Sequence, residues 1–242
     1  DIVAMGARPT ALVVAFAAPP ELALAWAEDL MRGLVAEAAA VGAAVVGGDV
    51  VRAPQIVVTV TALGDLEGRA PLTRSGARPG DILVLAGATG LSAAGMVAVA
   101  SGDADATADL AAVAAAHRSP SPPYAAALAL AALGATAMID TSDGLSSELH
   151  HLAAASVVGI RVDDVPIDAR LAAVAQVLTG EPLRWALHGG EDHAFLATLP
   201  PGAAGRMGDI AVRIGVVTDD GVVTYRGEPL IARGWDHFGG AT

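Results

Sequence analysis

The chain has 242 residues, enough for one large domain or two modest ones with an ample core. It is 54% hydrophobic but only 3% aromatic, and 26 Asp and Glu against 14 Lys and Arg leave a formal charge of −12. That balance argues against a general nucleic-acid binder, which needs a basic face. The absence of cysteine excludes a disulfide framework, a thiolate metal site and a cysteine nucleophile, and it fits a cytoplasmic location.

The opening DIVAMGARP reads as the middle of a helix leading to a turn, and the natural beginning is expected upstream of Asp1. TALVVAFA (10–17) follows as a strand, and helical spacing of apolar residues runs from Pro20 to Val41, with Pro19-Pro20 fitting a helix start. AAVVGGD (43–49) reads as a buried strand ending in a glycine turn, and QIVVTVTALG (55–64) as a second strand with clear alternation. The polar stretch 64–81, which holds Arg69, Arg74 and Arg78, is the best domain boundary. Beyond it, DILVLAG is a strand and GLSAAGMVAVA a helix. The uncharged run from Leu83 to Gly102 has about the 20 residues a bilayer span needs, but its glycines favour strand, turn and helix. No signal peptide is visible.

Two Ala-rich helices flank HRSPSPP (117–123). AMIDTSDGLSSELHHL (137–152) is an apolar run followed by a helix. A strand near 158–162, a helix near 168–178 and the motif LHGGEDHAF (187–195) come next. The last 40 residues alternate short β-like runs with turns and end in GWDHFGG. The alternation indicates α/β or α+β layers, in two domains.

Acidic residues gather at strand ends and tight turns: Asp49 in VVGGDVVR, Asp140 and Asp143 in IDTSDGLS, Glu191 and Asp192 in HGGEDH, with Asp1 a further candidate. Carboxylates beside glycines can hold Mg²⁺, a hard cation that shares its shell with substrate phosphates. Arg74 could hold phosphate oxygens through its planar fork. Each feature has a plain structural alternative. GGD is an ordinary turn, Asp143 a helix cap, Arg74 a surface charge and Glu191-Asp192 a turn pair. His150 and His151 read as one packed and one solvated, while His188 and His193 flank the GGED turn. Trp235 could seal a core or stack on an aromatic ligand.

The order of the motifs is more specific than any one of them. DIVAMGARP, GGDVVRAP, LTRSGARPGD, IDTSDGL, LHGGEDH and GWDHF together resemble the thiamine-monophosphate kinase family over the whole chain. The resemblance implies an α/β fold in two domains of the aminoimidazole-ribotide synthetase-like type. Residues 1–66 would be the remainder of a dimerising, ATP- and metal-binding N-terminal domain, and 67–242 a C-terminal α/β domain. It implies Mg²⁺- and ATP-dependent phosphorylation of thiamine monophosphate by a cytoplasmic homodimer with no nucleic-acid or membrane partner. No GxxxxGK[ST] loop is present, so the phosphates must be held by another route.

Carried over motif by motif, Asp1, Asp49, Asp140 and Asp143 resemble metal ligands. Gly48, Asp49, Arg74 and Ser142 resemble ATP contacts, and Glu191 and Trp235 substrate contacts. The acceptor oxygen of a phosphate is already ionised near neutral pH, so no general base is expected. Three departures stand out: Val50 and Val51 replace two threonines of the pattern, His188 and His193 bracket the GGED turn where Ser and Tyr are usual, and HRSPSPP lacks an arginine. The segments that would precede Asp1, including a G-D-D motif, are not in this sequence. The alternatives are another ATP-using member of the same superfamily and a non-catalytic nucleotide-binding remnant. Zero cysteines speak against the members that carry a reactive one.

Overall fold

The structure, a computed structural model, describes residues 1–235. It comprises two compact units, one made of Ile2 and Gly6–Pro71, the other of Asp1, Val3–Met5 and the residues from Leu72 onward.

In the smaller unit, β1 (Arg8–Ala18) is the middle of three strands. It runs parallel to β2 (Ala44–Arg52) and antiparallel to β3 (Val57–Asp65). The helix α1 (Leu24–Ala40) makes the crossover that parallel strands require. Phe16 of β1 stacks on Trp26 of α1, with ring centroids 6.2 Å apart and planes 18° from parallel. The register places Val50 and Val58 opposite Phe16, on the face α1 packs against. One helix does not cover that face, and Val50 remains 75% exposed.

Three local expectations are corrected here. The opening residues form a short 3₁₀ turn, Val3–Met5, that leads into a strand. The helix begins at Leu24, four residues after Pro20, because the Leu22 N–H first closes a turn on the Pro19 carbonyl. Finally, β2 does not end in a glycine turn and is not buried. It runs through Gly47, Gly48 and Asp49 to Arg52. A side chain on Gly48 would place its Cβ 1.9 Å from the carbonyl oxygen of Val14, so this glycine marks the close approach of a neighbouring backbone.

The larger unit is built on seven strands in the order β10-β9-β6-β8-β4-β7-β5. In chain order its elements are β4 (Ile82–Ala86), α2 (Leu91–Ser101), α3 (Ala108–Arg118), α4 (Tyr124–Ala132), β5 (Ala137–Asp140), α5 (Leu145–Ser156) and β6 (Gly159–Val162). They continue with α6 (Ala169–Ala175), α7 (Pro182–His188), β7 (Phe195–Leu199), α8 (Pro201–Ala204), β8 (Val212–Thr218), β9 (Val223–Tyr225) and β10 (Glu228–Pro229).

The period of two decides which side chain enters which layer. Leu83 and Leu85 of β4 and Ile139 of β5 join Leu91, Leu110, Leu149, Leu171 and Leu187 from the helices on one face. Val84, Ala86 and Met138 join Leu130 of α4 and Val3 on the other. Both faces are therefore covered, which is why these short strands read as unbroken apolar runs. The run from Leu83 to Gly102 is β4, a glycine turn and α2, and no helix among the described residues is long and apolar enough to cross a membrane.

Candidate functional site

Strands β5 and β7 are antiparallel neighbours, and Asp140, the last residue of β5, sits opposite Phe195, the first of β7. The loops leaving these two ends are IDTSDG and HGGEDHA, which continue the pairing by backbone bonds. The Thr141 N–H donates to Ala194 O at 2.8 Å, the His193 N–H to Thr141 O at 3.2 Å and the Glu191 N–H to Ser142 O at 2.7 Å. Segments 50 residues apart in sequence are thus held side by side by the ladder. Glu191 (φ 64°) and His193 (φ 52°) both adopt left-handed backbone on either side of Asp192, a conformation that costs energy for non-glycine residues and tends to collect at functional sites.

Between the carboxylates of Asp140 and Glu191 lies the His193 imidazole. Its Nδ1 is 3.7 Å from Asp140 Oδ2 and its Nε2 3.6 Å from Glu191 Oε2, distances of ion pairs rather than tight hydrogen bonds. The imidazole holds the Asp140 carboxyl below its usual range against the opposing effect of burial. The same neighbour raises the pKa of His193. Asp140 is therefore ionised at neutral pH.

The plain structural alternative for Asp143, a cap on α5, does not hold. The helix is capped at Gly144 with no side-chain bond. Gly144 has φ 112°, and a Cβ there would lie 2.9 Å from the His188 carbonyl oxygen. The free N–H of Asp143 is taken instead by Glu148, whose Oε1 accepts it at 3.1 Å while Oε2 lies 3.0 Å from His151 Nδ1. Glu148 is 2% exposed, and burial raises its pKa. With Ser142 and Asp143 released from capping, their side chains are not consumed by the helix they precede.

A C-terminal strap crosses the start of α5. His150 Nε2 lies 2.8 Å from Leu230 O, the Ser146 hydroxyl donates to Arg233 O at 2.8 Å, and the Trp235 N–H donates to Asp143 O at 3.0 Å. The strap brings Trp235, 68% exposed, to the DTSDG loop. The remainder of the GWDHFGG motif, from Asp236 on, lies outside the described residues.

Asp140, Ser142, Asp143, Glu191 and Trp235 are thus brought together in the larger unit, and Asp1 lies near Asp140 in the same unit. Arg74 is not gathered with them. Its backbone carbonyl accepts from Ser156 Oγ at 3.0 Å, at the far end of α5, and Thr73 O pairs with the Met138 N–H. Gly48 and Asp49 belong to β2 of the smaller unit, where Asp49 Oδ1 accepts the Val50 N–H at 2.9 Å.

Asp192 has a role that the motif alone does not disclose. Its carboxylate accepts the Gly90 N–H, and the Ser92 N–H at 2.9 Å, at the start of α2. It therefore ties the GGED turn to a helix 100 residues away in sequence. Burial pushes its pKa up to about 6, opposed by these N–H donors.

The oxygen donors of this loop are of the kind a hard cation such as Mg²⁺ prefers. Among the described residues no three His, Asp or Glu side chains converge closely enough to hold an ion unaided. The loop does offer an ionised Asp140, the carboxylate of Asp143 and a buried Thr141 hydroxyl with no hydrogen-bond partner among the described residues. One or two carboxylates, with the remaining positions filled by phosphate and water, is the arrangement Mg²⁺ favours. The residues fit.

Comparison with known proteins defines first the class. Residues 1–66 match the family described as AIR synthase related protein, N-terminal domain, and residues 78–227 its C-terminal domain. The hydrogenase maturation protein HypE, 21% identical with a TM-score of 0.76 over 99% of this chain and 80% of that one, shares the fold. Within the class the chain belongs to the thiamine-monophosphate kinase family. It is 44% identical to the thiamine-monophosphate kinase of Mycobacterium tuberculosis over 99% of this chain and 71% of that protein, and 37% identical to that of Corynebacterium glutamicum over 98% and 73%. A solved structure described as AaThiL complexed with AMPPCP and TMP superposes with a TM-score of 0.91 at 26% identity, covering 98% of this chain and 76% of that one.

Proposed function

We propose that the chain transfers the terminal phosphoryl group of ATP to the phosphate of thiamine monophosphate, giving thiamine diphosphate and ADP. The observation that carries this reading is the side-by-side placement of the DTSDG and GGEDH loops at the paired ends of β5 and β7, with Trp235 delivered to them by the strap. The family's relatives are thiamine-monophosphate kinases, and AMPPCP is an ATP analogue whose bound partner in AaThiL is TMP.

In the step itself a phosphate oxygen of thiamine monophosphate forms a bond to the γ-phosphorus. The bond from that phosphorus to the bridging oxygen breaks, and the electron pair leaves with ADP. The nucleophile is already an anion, so no proton has to be removed, and catalysis rests on positioning and charge stabilisation. Asp140 and Asp143, with Asp1 and Asp49 carried over by motif, would hold Mg²⁺, which supplies positive charge between two anionic reactants. Ser142 offers its hydroxyl to ATP; Gly48 and Asp49 on β2 are further ATP contacts carried over by motif, and Arg74, apart from the carboxylate loops, is carried over in the same way with its guanidinium exposed to solvent. Glu191 faces the cationic acceptor, whose thiazolium it can meet with an opposite charge, and Trp235 presents a flat apolar surface to a ring. The enzyme is proposed to act as a cytoplasmic homodimer, a reading supported by the exposed valines of the small sheet and the absence of cysteine.

The test is phosphoryl transfer from ATP to thiamine monophosphate, run with Mg²⁺ and with EDTA. Thiamine diphosphate should form only with the metal. Asp143→Asn should cut the rate by at least about a hundredfold, the scale of a lost electrostatic contact to the transferring group, with the folded state unchanged. Near-wild-type turnover of that variant at saturating Mg²⁺ would sink the role of Asp143.

A further inference from the structure

The Ser146 hydroxyl is fully buried and sits at the junction of three elements. Its Oγ lies 2.8 Å from His188 Nδ1 at the end of α7, 2.8 Å from Arg233 O and 3.2 Å from Arg233 N. A hydroxyl has one proton to give and two lone pairs to receive. The Arg233 N–H must donate to Oγ, and the Arg233 carbonyl can only accept, so the Ser146 proton goes there. The contact to His188 is then completed only if Nδ1 carries the proton and donates. With Nδ1–H pointing at Oγ, every hydrogen-bonding position of Ser146 is filled. The Arg233 peptide is gripped at both its N–H and its C=O, two residues before Trp235.

We infer that His188, acting through Ser146, is a positioning residue for recognition of the acceptor: it latches the C-terminal strap so that Trp235 is presented to the organic part of thiamine monophosphate. The inference rests on the reading of Trp235 given under the proposed function. The surrounding geometry points the same way. The strap's other anchors, Leu230 on His150 and the Trp235 N–H on Asp143 O, bind at its two ends, and the Ser146–Arg233 clamp holds the middle. His188 also leads directly into Gly189, Gly190 and Glu191, so one imidazole joins the turn that carries Glu191 to the strap that carries Trp235. The two proposed acceptor contacts are thereby fixed relative to one another. The Ser146 bonds to His188 and Arg233 touch no residue assigned to the metal, and the Trp235 anchor meets Asp143 only at its backbone carbonyl, so disturbing the latch should affect the acceptor more than ATP.

The experiment compares His188→Ala, His188→Asn and His188→Gln with Trp235→Ala in the full chain. Asparagine places an amide N–H near the position of Nδ1, whereas glutamine carries its amide toward the position of Nε2. Losing one or two buried hydrogen bonds should raise the KM for thiamine monophosphate about five- to twentyfold in His188→Ala, with kcat and the KM for ATP within about twofold. His188→Asn should recover most of that loss and His188→Gln should not. Amide hydrogen exchange without substrate should be faster at Arg233 and Trp235 in His188→Ala, and unchanged in the strands β4 and β7. The double variant His188→Ala/Trp235→Ala should be no worse than Trp235→Ala alone, because the two act through one contact.

Additive losses in the double variant, equal behaviour of the Asn and Gln variants, or unchanged exchange at the strap would overturn the latch. If Trp235→Ala itself leaves the KM for thiamine monophosphate unchanged, the reading of Trp235 is wrong and the inference goes with it. An effective Trp235→Ala beside a silent His188→Ala removes the latch alone. Should His188→Ala fail to fold, the contrast between the Asn and Gln variants decides the matter.

Discussion

Asp192 shows how one carboxylate can serve structure inside a motif that looks purely chemical. Its side chain is turned away from Glu191 and spent on the N–H groups at the start of α2, in a setting dry enough to lift its pKa to about 6. The unfolded chain releases that proton near the ordinary aspartate value of 3.8. Between those two values the native state therefore holds more proton than the unfolded state, and stability falls as pH rises through this window. Asp192→Asn cannot titrate. The difference in unfolding free energy, wild type minus variant, should therefore drop by about 1–3 kcal/mol between pH 4 and pH 7, read from urea titrations at each pH. Parallel pH profiles would show that Asp192 is not the group responsible. The sequence made the pair Glu191-Asp192 visible but not its division of labour, because that division depends on a partner 100 residues upstream. Glu148 escaped notice for the opposite reason. It is an ordinary first-turn glutamate by position, and only its burial and its bond to the Asp143 N–H reveal that it ties the preceding loop to the helix.

At the level of elements, the strands were easy to read where burial was two-sided and the helices where they were long. The apolar runs of β4 and β5 and the periodic face of α1 were visible as pattern, whereas β7, five residues directly after the GGEDHA loop, did not stand out from the motif before it. α7 is seven residues, too short to show a period, and was missed although Pro182 marks its start. Gly47-Gly48 misled because glycine has two meanings. Here it admits a neighbouring strand, and the chain does not turn. Gly48→Ala should accordingly destabilise the small sheet by about 1–3 kcal/mol, the usual cost of an intruding methylene or methyl. Hydrogen exchange should place the loss at β1 and β2. An unchanged transition would mean that the two backbones can separate without penalty.

Across the whole molecule the candidate residues fall in both units. Five of the candidate residues, Asp140, Ser142, Asp143, Glu191 and Trp235, are assembled within the larger unit, while Gly48 and Asp49 ride on the smaller one. The smaller unit also leaves apolar surface open: Val46, Val50 and Leu63 are each at least half exposed. A surface of this kind is costly in water and favours a partner. If that partner is a second copy, replacing Val50 and Val58 by Asp should weaken self-association at least tenfold, about 1.4 kcal/mol, by sedimentation velocity. An unaltered dimer would place the interface elsewhere.

The strap has a consequence for how the protein comes into being. Its three anchors join residues 230, 233 and 235 to residues 150, 146 and 143, separations of 80 or more positions. Contacts so distant in the chain are among the slowest to close. A nascent polypeptide lacking residues 230–235 could have its carboxylate loops paired across β5 and β7 before Trp235 is brought to them. The strap would then close on a sheet already formed, and the loop it covers would stay open until it does.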